Sequence, residues 1–221
     1  MSRQLTSGVL GRKKTHPLFP YLIEGYKMEG NSNGIRNIIN GSDTNVTYAN
    51  GKVGDAAVFN GSAFINLGQK NELDLLPNSE WSFSFWENTP SGNSGYYVAK
   101  APTGTPSTHQ FSIYRLTDIR AVVGGSQIST GFASFGQWNH VVLVNKPIDN
   151  LFYIYINKTN IYNRVIGSTI APDTDLLIGA RRNSAPNTGT GFLYTGSIDE
   201  LYFFNKALTP DEINYLYDNP L

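Results

Sequence analysis

Apolar side chains in this chain arrive in short bursts that alternate with polar ones, and turn-forming residues separate the bursts. Trp81-Ser82-Phe83-Ser84-Phe85-Trp86 is the clearest case. Large apolar and small polar side chains alternate with period two, which sorts them onto opposite faces of an extended strand. Phe64-Ile65-Asn66-Leu67, Phe111-Ser112-Ile113-Tyr114, Phe152-Tyr153-Ile154-Tyr155-Ile156 and Ile198-Asp199-Glu200-Leu201-Tyr202-Phe203-Phe204 are further bursts of this kind. Trp138-Asn139-His140-Val141-Val142-Leu143-Val144 is apolar enough to be a central strand. The Asn60-Gly61 and Gly124-Gly125 pairs mark turns, since both residue types tolerate positive φ. Many short strands punctuated by turns predict an all-β fold of two stacked antiparallel sheets. One helix is expected at the carboxyl end. Thr209 can cap it, Pro210 suits its first position, and Glu212 stands three residues after the cap.

With 221 residues, the chain can bury a core without covalent staples. It contains no cysteine, so disulfides and thiolate metal sites are excluded. Lys+Arg and Asp+Glu number 17 each, for a formal net charge of zero, which argues against a nucleic-acid footprint. No apolar run reaches the roughly 20 residues of a membrane helix. Met1–Gly8 carries no apolar stretch after its basic residues and does not read as a signal peptide.

Residues 1–20 read apart from the rest. Arg3, Arg12, Lys13 and Lys14 all precede the first acidic residue, Glu24, and Pro17 and Pro20 oppose regular helix. The segment is either a disordered basic tail or an extended arm whose four cations anchor it to a partner. The expected organisation is therefore a basic arm over 1–20 and one domain over 21–221.

Four segments in order resemble a known family. Gly51-Lys52-Val53-Gly54-Asp55-Ala56-Ala57-Val58-Phe59-Asn60-Gly61 resembles its early hairpin, and Phe83-Ser84-Phe85-Trp86 its next strand. Gly136-Gln137-Trp138-Asn139-His140-Val141-Val142 resembles the strand that opens with Trp-x-His. Gly196-Ser197-Ile198-Asp199-Glu200-Leu201, running on through Ala207-Leu208-Thr209-Pro210 to Ile213, resembles the closing strand and helix. The family is that of laminin G-like, concanavalin A-like lectin and glucanase jelly rolls. The resemblance covers about residues 24–218 and implies an antiparallel two-sheet jelly-roll sandwich with one short C-terminal helix. It does not imply one activity, because function on this fold lives in grafted loops.

The family's glycosidases carry Glu-x-Asp-x-Glu on one strand. Here Glu72-Leu73-Asp74 lacks the third carboxylate and runs into Pro77, so catalysis of that kind is not expected. Of the three histidines, His16 falls in the arm, His109 in a loop and His140 on a core strand, where a hydrogen-bonded structural role is expected. The resemblance implies a possible calcium site formed by Asp199 with Glu29 and Asn31, although Glu29 stands where the family more commonly has Asp. The competing reading has Asp199 bonding loop amides without metal. Glycan binding needs exposed aromatic faces beside planar hydrogen-bonding groups. Loop candidates are Tyr96 and Tyr97 after Gly92-Asn93-Ser94-Gly95, and Arg181, Arg182, Asn183 and Tyr194 before the last strand. Ordinary loop packing is the competing reading for each. Trp81, Trp86 and Trp138 are assigned to the core.

An adhesion-type fold without a recognisable export signal leads to the expectation of a non-catalytic virion structural or attachment protein. A bacteriophage capsid-decoration, head-fibre or tail-associated protein would fit, located on the virion and forming a homo-oligomer. Its arm would contact other virion proteins, and its outward jelly roll would face host glycans, with no nucleic-acid or membrane partner. The alternative is a carbohydrate-binding module of a bacterial cell surface.

Overall fold

A computed structural model describes residues 15–102, 105, 109–166, 174–184 and 188–221. The anchoring candidates Arg3, Arg12, Lys13 and Lys14 lie outside the described residues. Seventeen strands, one α-helix and short 3-10 turns account for the regular structure among the described residues. The strands are β1 (Leu22–Tyr26), β2 (Ser42–Thr44), β3 (Thr47–Asn50), β4 (Asp55–Asn60), β5 (Phe64–Gly68), β6 (Trp81–Asn88) and β7 (Gly95–Lys100). They continue with β8 (Phe111–Arg115), β9 (Ile119–Val123), β10 (Ser126–Ser129), β11 (Asn139–Lys146), β12 (Leu151–Ile156) and β13 (Thr159–Arg164). The last four are β14 (Leu176–Ile178), β15 (Arg181–Ser184), β16 (Thr188–Gly191) and β17 (Thr195–Phe204), followed by helix α1 (Pro210–Asp218).

Two antiparallel sheets carry the fold, as the alternation predicts. The first runs β13-β12-β11-β6-β17-β4-β3, and β1 joins the far half of β17. The second runs β10-β9-β8-β7-β14-β5-β2, while β15 and β16 form a separate two-stranded ribbon. Between the sheets, Trp81, Phe83 and Phe85 of β6 meet Phe111 and Ile113 of β8, Val141 and Leu143 of β11, and Phe203 of β17. Phe83 alone makes ring contacts with Phe85, Phe111 and Phe203 at 4.7–6.0 Å between centroids.

The outer face of the first sheet is covered by α1, whose Ile213 and Leu216 pack with Leu22, Val142, Val144, Tyr202 and Phe204. The helix starts as expected. Thr209 accepts from the Glu212 amide, and Glu212 accepts from the Thr209 amide at 3.0 Å, a closed capping box.

Three details differ from the sequence reading. Leu18 is buried in the α1-side core and His16 Nε2 lies 2.9 Å from the Asn219 carbonyl oxygen, so residues 16 and 18 pack against the helix side of the fold. Trp86 is buried, but alternation turns it to the outer face, between the rings of His140 and Tyr217 at 5.0 and 4.8 Å. Trp138 is only half-buried and precedes β11.

Candidate functional site

The second sheet presents two layers of polar chemistry, one on each side of β7 and β8. The inner layer lies within the sandwich. Glu87, at the inward-facing end of β6, is fully buried. Its carboxylate accepts from Arg115 Nη2 at 2.7 Å and Asn139 Nδ2 at 2.8 Å on one oxygen, and from Thr89 Oγ1 at 2.5 Å and the Tyr97 hydroxyl at 3.1 Å on the other. Arg115 Nε donates to the Tyr97 hydroxyl at 2.8 Å, and the Tyr194 hydroxyl meets Thr89 Oγ1 at 2.9 Å. Burial drives the Tyr97 and Tyr194 phenols well above their usual range, so both stay neutral and able to donate. Tyr97 and Tyr194 are thereby removed from the glycan candidates: their rings are fully buried, because β7 begins at Gly95 and alternation turns Tyr97 inward.

The outer layer is different. Tyr96 and Tyr114 sit opposite each other in register and stack at 4.9 Å with their planes 24° apart, both buried in a small cluster with Ala99, Ala101 and Val122. Tyr114 is held by Gln127 Nε2, which donates to its hydroxyl at 2.6 Å. The ring of Phe192 stands edge-on to Tyr96 at 6.2 Å, and the Arg181 guanidinium lies 4.9 Å from Phe192 and 5.7 Å from Tyr96. Phe192 is 61 % exposed and sits at φ +49°, a left-handed conformation uncommon for a non-glycine residue. Its carbonyl accepts from the Tyr96 amide at 3.0 Å, which fixes the chain leaving the ribbon against β7.

Beside the start of β7, Gly92, Asn93, Ser94, Leu116, Thr117 and Phe135 line an open depression of about 380 Å³. Of the sequence candidates, then, Tyr96 and Arg181 come together, and Asn183 joins them through its Oδ1, 3.3 Å from Arg181 Nη1. Arg182 points elsewhere and pairs with Asp175. Phe192 and Tyr114 were not singled out from the sequence. The run Thr188-Gly189-Thr190-Gly191-Phe192 is the signal that could have flagged an aromatic residue at the exit of a glycine-rich ribbon.

The possible calcium ligands occupy another corner. Asp199 Oδ2 accepts the amides of Lys52 and Val53 at 2.8 and 3.0 Å, and Oδ1 accepts the Glu200 amide at 2.8 Å. Glu29 Oε2 accepts the Asp55 amide at 3.1 Å, and Asn31 Oδ1 accepts the Asn33 amide at 2.9 Å. Two carboxylates thus hold the turn between β3 and β4 by its backbone. Among the described residues, no three His, Cys, Asp or Glu side chains come together to hold a metal ion. Glu200 adds an oddity here. It is buried at φ +49° in a bulge of β17, and neither carboxyl oxygen has a hydrogen-bond partner among the described residues. Burial, reinforced by Asp199, pushes its pKa up to about 8; burial likewise raises Asp199 to about 6 against the pull of its amide bonds.

The remaining candidates hold structural positions. His140 is buried with Nε2 2.8 Å from Ser84 Oγ, the hydrogen-bonded role expected, and burial lowers its pKa to about 3. Asp74 forms an ion pair with Lys100, while Glu72 lies in a short 3-10 turn over Asn71–Leu73.

No curated protein matches the chain by sequence. Among solved structures, domain 4 of AbnA, a GH43 extracellular arabinanase from Geobacillus stearothermophilus seen in complex with arabinotriose, superposes with a TM-score of 0.66. The two share 20 % identity over 89 % of this chain and 98 % of that one. The binding domain of Paraclostridial Mosquitocidal Protein 1 gives a TM-score of 0.66 at 16 % identity, over 90 % of this chain and 52 % of that one. The binding domain of botulinum neurotoxin serotype D/C gives 0.64 at 18 %, with the same coverage. The chain therefore spans about half the length of the toxin binding domains. At these identities the likeness establishes the fold. The family described as the concanavalin A-like lectin/glucanases superfamily (Laminin_G_3) matches residues 59–214, well over half of the sequence, and this chain belongs to it.

Proposed function

We propose that the domain is a non-catalytic glycan-binding module whose ligand rests on the outer face of the second sheet. The observation that carries this reading is the exposed ring of Phe192, which stands over the buried Tyr96–Tyr114 stack and the buried Arg181 guanidinium. A pyranose offers an apolar CH face and hydroxyl edges, and an aromatic face next to planar donors complements both. The arabinotriose held by the arabinanase domain adds support by analogy of fold alone. A glycan array probed with the full chain is expected to give a specific hit. Phe192→Ala is expected to weaken that hit by about tenfold, the worth of one good aromatic contact, without lowering the melting temperature, since the ring is exposed. Absence of any hit overturns the reading.

In the finer form of this proposal, the module faces outward from a virion structural protein, and its basic N-terminal segment joins other virion proteins. The support is the clustering of Arg3, Arg12, Lys13 and Lys14 ahead of a charge-balanced chain. Replacing those four by alanine is expected to abolish incorporation into particles; normal incorporation contradicts the anchor. The likeness to an arabinanase domain favours the alternative, a module on a bacterial cell surface. Recovery of the protein from cell envelopes and not from purified particles would establish it.

We also propose that the fold needs no calcium, because amides already bond both carboxylate oxygens of Asp199, one of Glu29 and the side-chain oxygen of Asn31. Calcium or a chelator is expected to shift the melting temperature by less than about 1 °C, whereas ion binding at saturation would raise it by several degrees.

A further inference from the structure

Among the described residues, three cationic side chains are buried: Lys100, Arg115 and Arg181. Lys100 is paired with Asp74 and Arg115 with Glu87. Arg181 has no carboxylate partner among the described residues. Nη1 donates to the Arg182 carbonyl at 2.6 Å and toward Asn183 Oδ1 at 3.3 Å, and Nε has no hydrogen-bond partner. The Tyr96 hydroxyl is a further neutral hydrogen-bond partner, and the rings of Phe192 and Tyr96 lie 4.9 and 5.7 Å away. A desolvated guanidinium held by rings and neutral oxygens is costly, and a planar anion bonded in a bidentate manner is what best offsets that cost. The neighbour above it is the exposed, left-handed Phe192, and backbone held in such a conformation recurs at ligand-binding sites.

We infer that the module selects acidic sugars, with the carboxylate of a uronic or sialic acid received by Arg181 while the sugar ring lies against Phe192. This rests on the glycan-binding reading and narrows its ligand class. A carboxylate is favoured over a phosphate ester because one guanidinium matches one negative charge, and a dianion would be left half-neutralised. Reaching Nε requires the Phe192 ring to swing aside, which its exposure permits.

The test uses the full chain on an array that carries uronic and sialic acid glycans, each beside its methyl ester, together with sulfated and neutral glycans. Esterification removes the charge and leaves the sugar ring intact. The expected result is binding to at least one acid at least about tenfold tighter than to its ester, the usual worth of a charge-assisted bond, and weakening as salt is raised. Arg181→Gln is expected to bring acid and ester to equal affinity while Phe192→Ala weakens both. The acid-against-ester comparison needs only the wild-type chain, so it stands even if Arg181→Gln fails to fold. Equal binding of acid and ester, preference for sulfated glycans, or hits confined to neutral glycans would each overturn the acidic-sugar assignment and leave glycan binding standing. No hit on any arm would overturn both.

Discussion

Glu200 and His140 make opposite contributions to the pH dependence of stability. Glu200 has its carboxyl raised from 4.5 to about 8 in the fold, so the native state holds a proton that the unfolded chain has released. Its stabilising contribution is complete below about pH 4.5 and is lost as pH rises through 8. Asp199, raised from 3.8 to about 6, acts in the same direction over a lower window. His140 is lowered from 6.5 to about 3, so the unfolded chain takes up the proton first and stability is lost as pH falls below 6.5. The effects oppose each other in acid, and above pH 6.5 Glu200 is left alone. Unfolding by urea at pH 6.5, 7.5 and 8.5 is expected to show stability falling by about 2 kcal/mol across the range. Glu200→Gln is expected to flatten that slope. Stability that stays level or rises in the wild type would remove the burial assigned to this carboxyl.

At the scale of elements, Glu87 joins the two sheets. It sits on β6 of the first sheet and its principal partners, Tyr97 and Arg115, sit on β7 and β8 of the second. Glu87→Ala strands the Arg115 charge in the interior and is expected to cost about 3–5 kcal/mol. Thermal unfolding of that variant beside Glu87→Ala/Arg115→Met separates the stranded charge from the lost contacts, because the double variant should recover a large part of the loss. Equal melting of the single and double variants would contradict the clamp.

Period-two alternation made the strands legible, and Thr209, Pro210 and Glu212 made the helix legible, because both are encoded over a few neighbouring residues. The clamp was not legible. Glu87 and Arg115 are 28 positions apart, and no local pattern says that β6 and β8 face each other across the core. The same lack of long-range register hid the inward turn of Tyr97. Trp86 shows the limit of reading a tryptophan as core. Its burial comes from α1 and Lys52, whose ammonium lies 4.3 Å from the indole, and neither is near it in sequence.

On the scale of the whole molecule, the first sheet is closed on its outer side by α1, and the second carries the aromatic face and the ribbon that ends at Phe192. In the proposed reading, structural work and recognition are divided between opposite sides of one sandwich. The buried Glu87 network stiffens the floor, and Tyr96 with Arg115's neighbour in register, Gly95, marks where that floor meets the rim. Sequence reasoning reached this side of the molecule through Tyr96, Arg181 and Asn183, but scattered its other candidates, since only the folded ribbon shows which of them converge. The central claim is one of location, so residue-by-residue amide shifts during titration with an array hit test it most directly. The account predicts that the largest shifts fall on Tyr96, Tyr114, Arg181 and Phe192. Shifts confined to the α1 side of the first sheet, or to the turn held by Asp199 and Glu29, would contradict it.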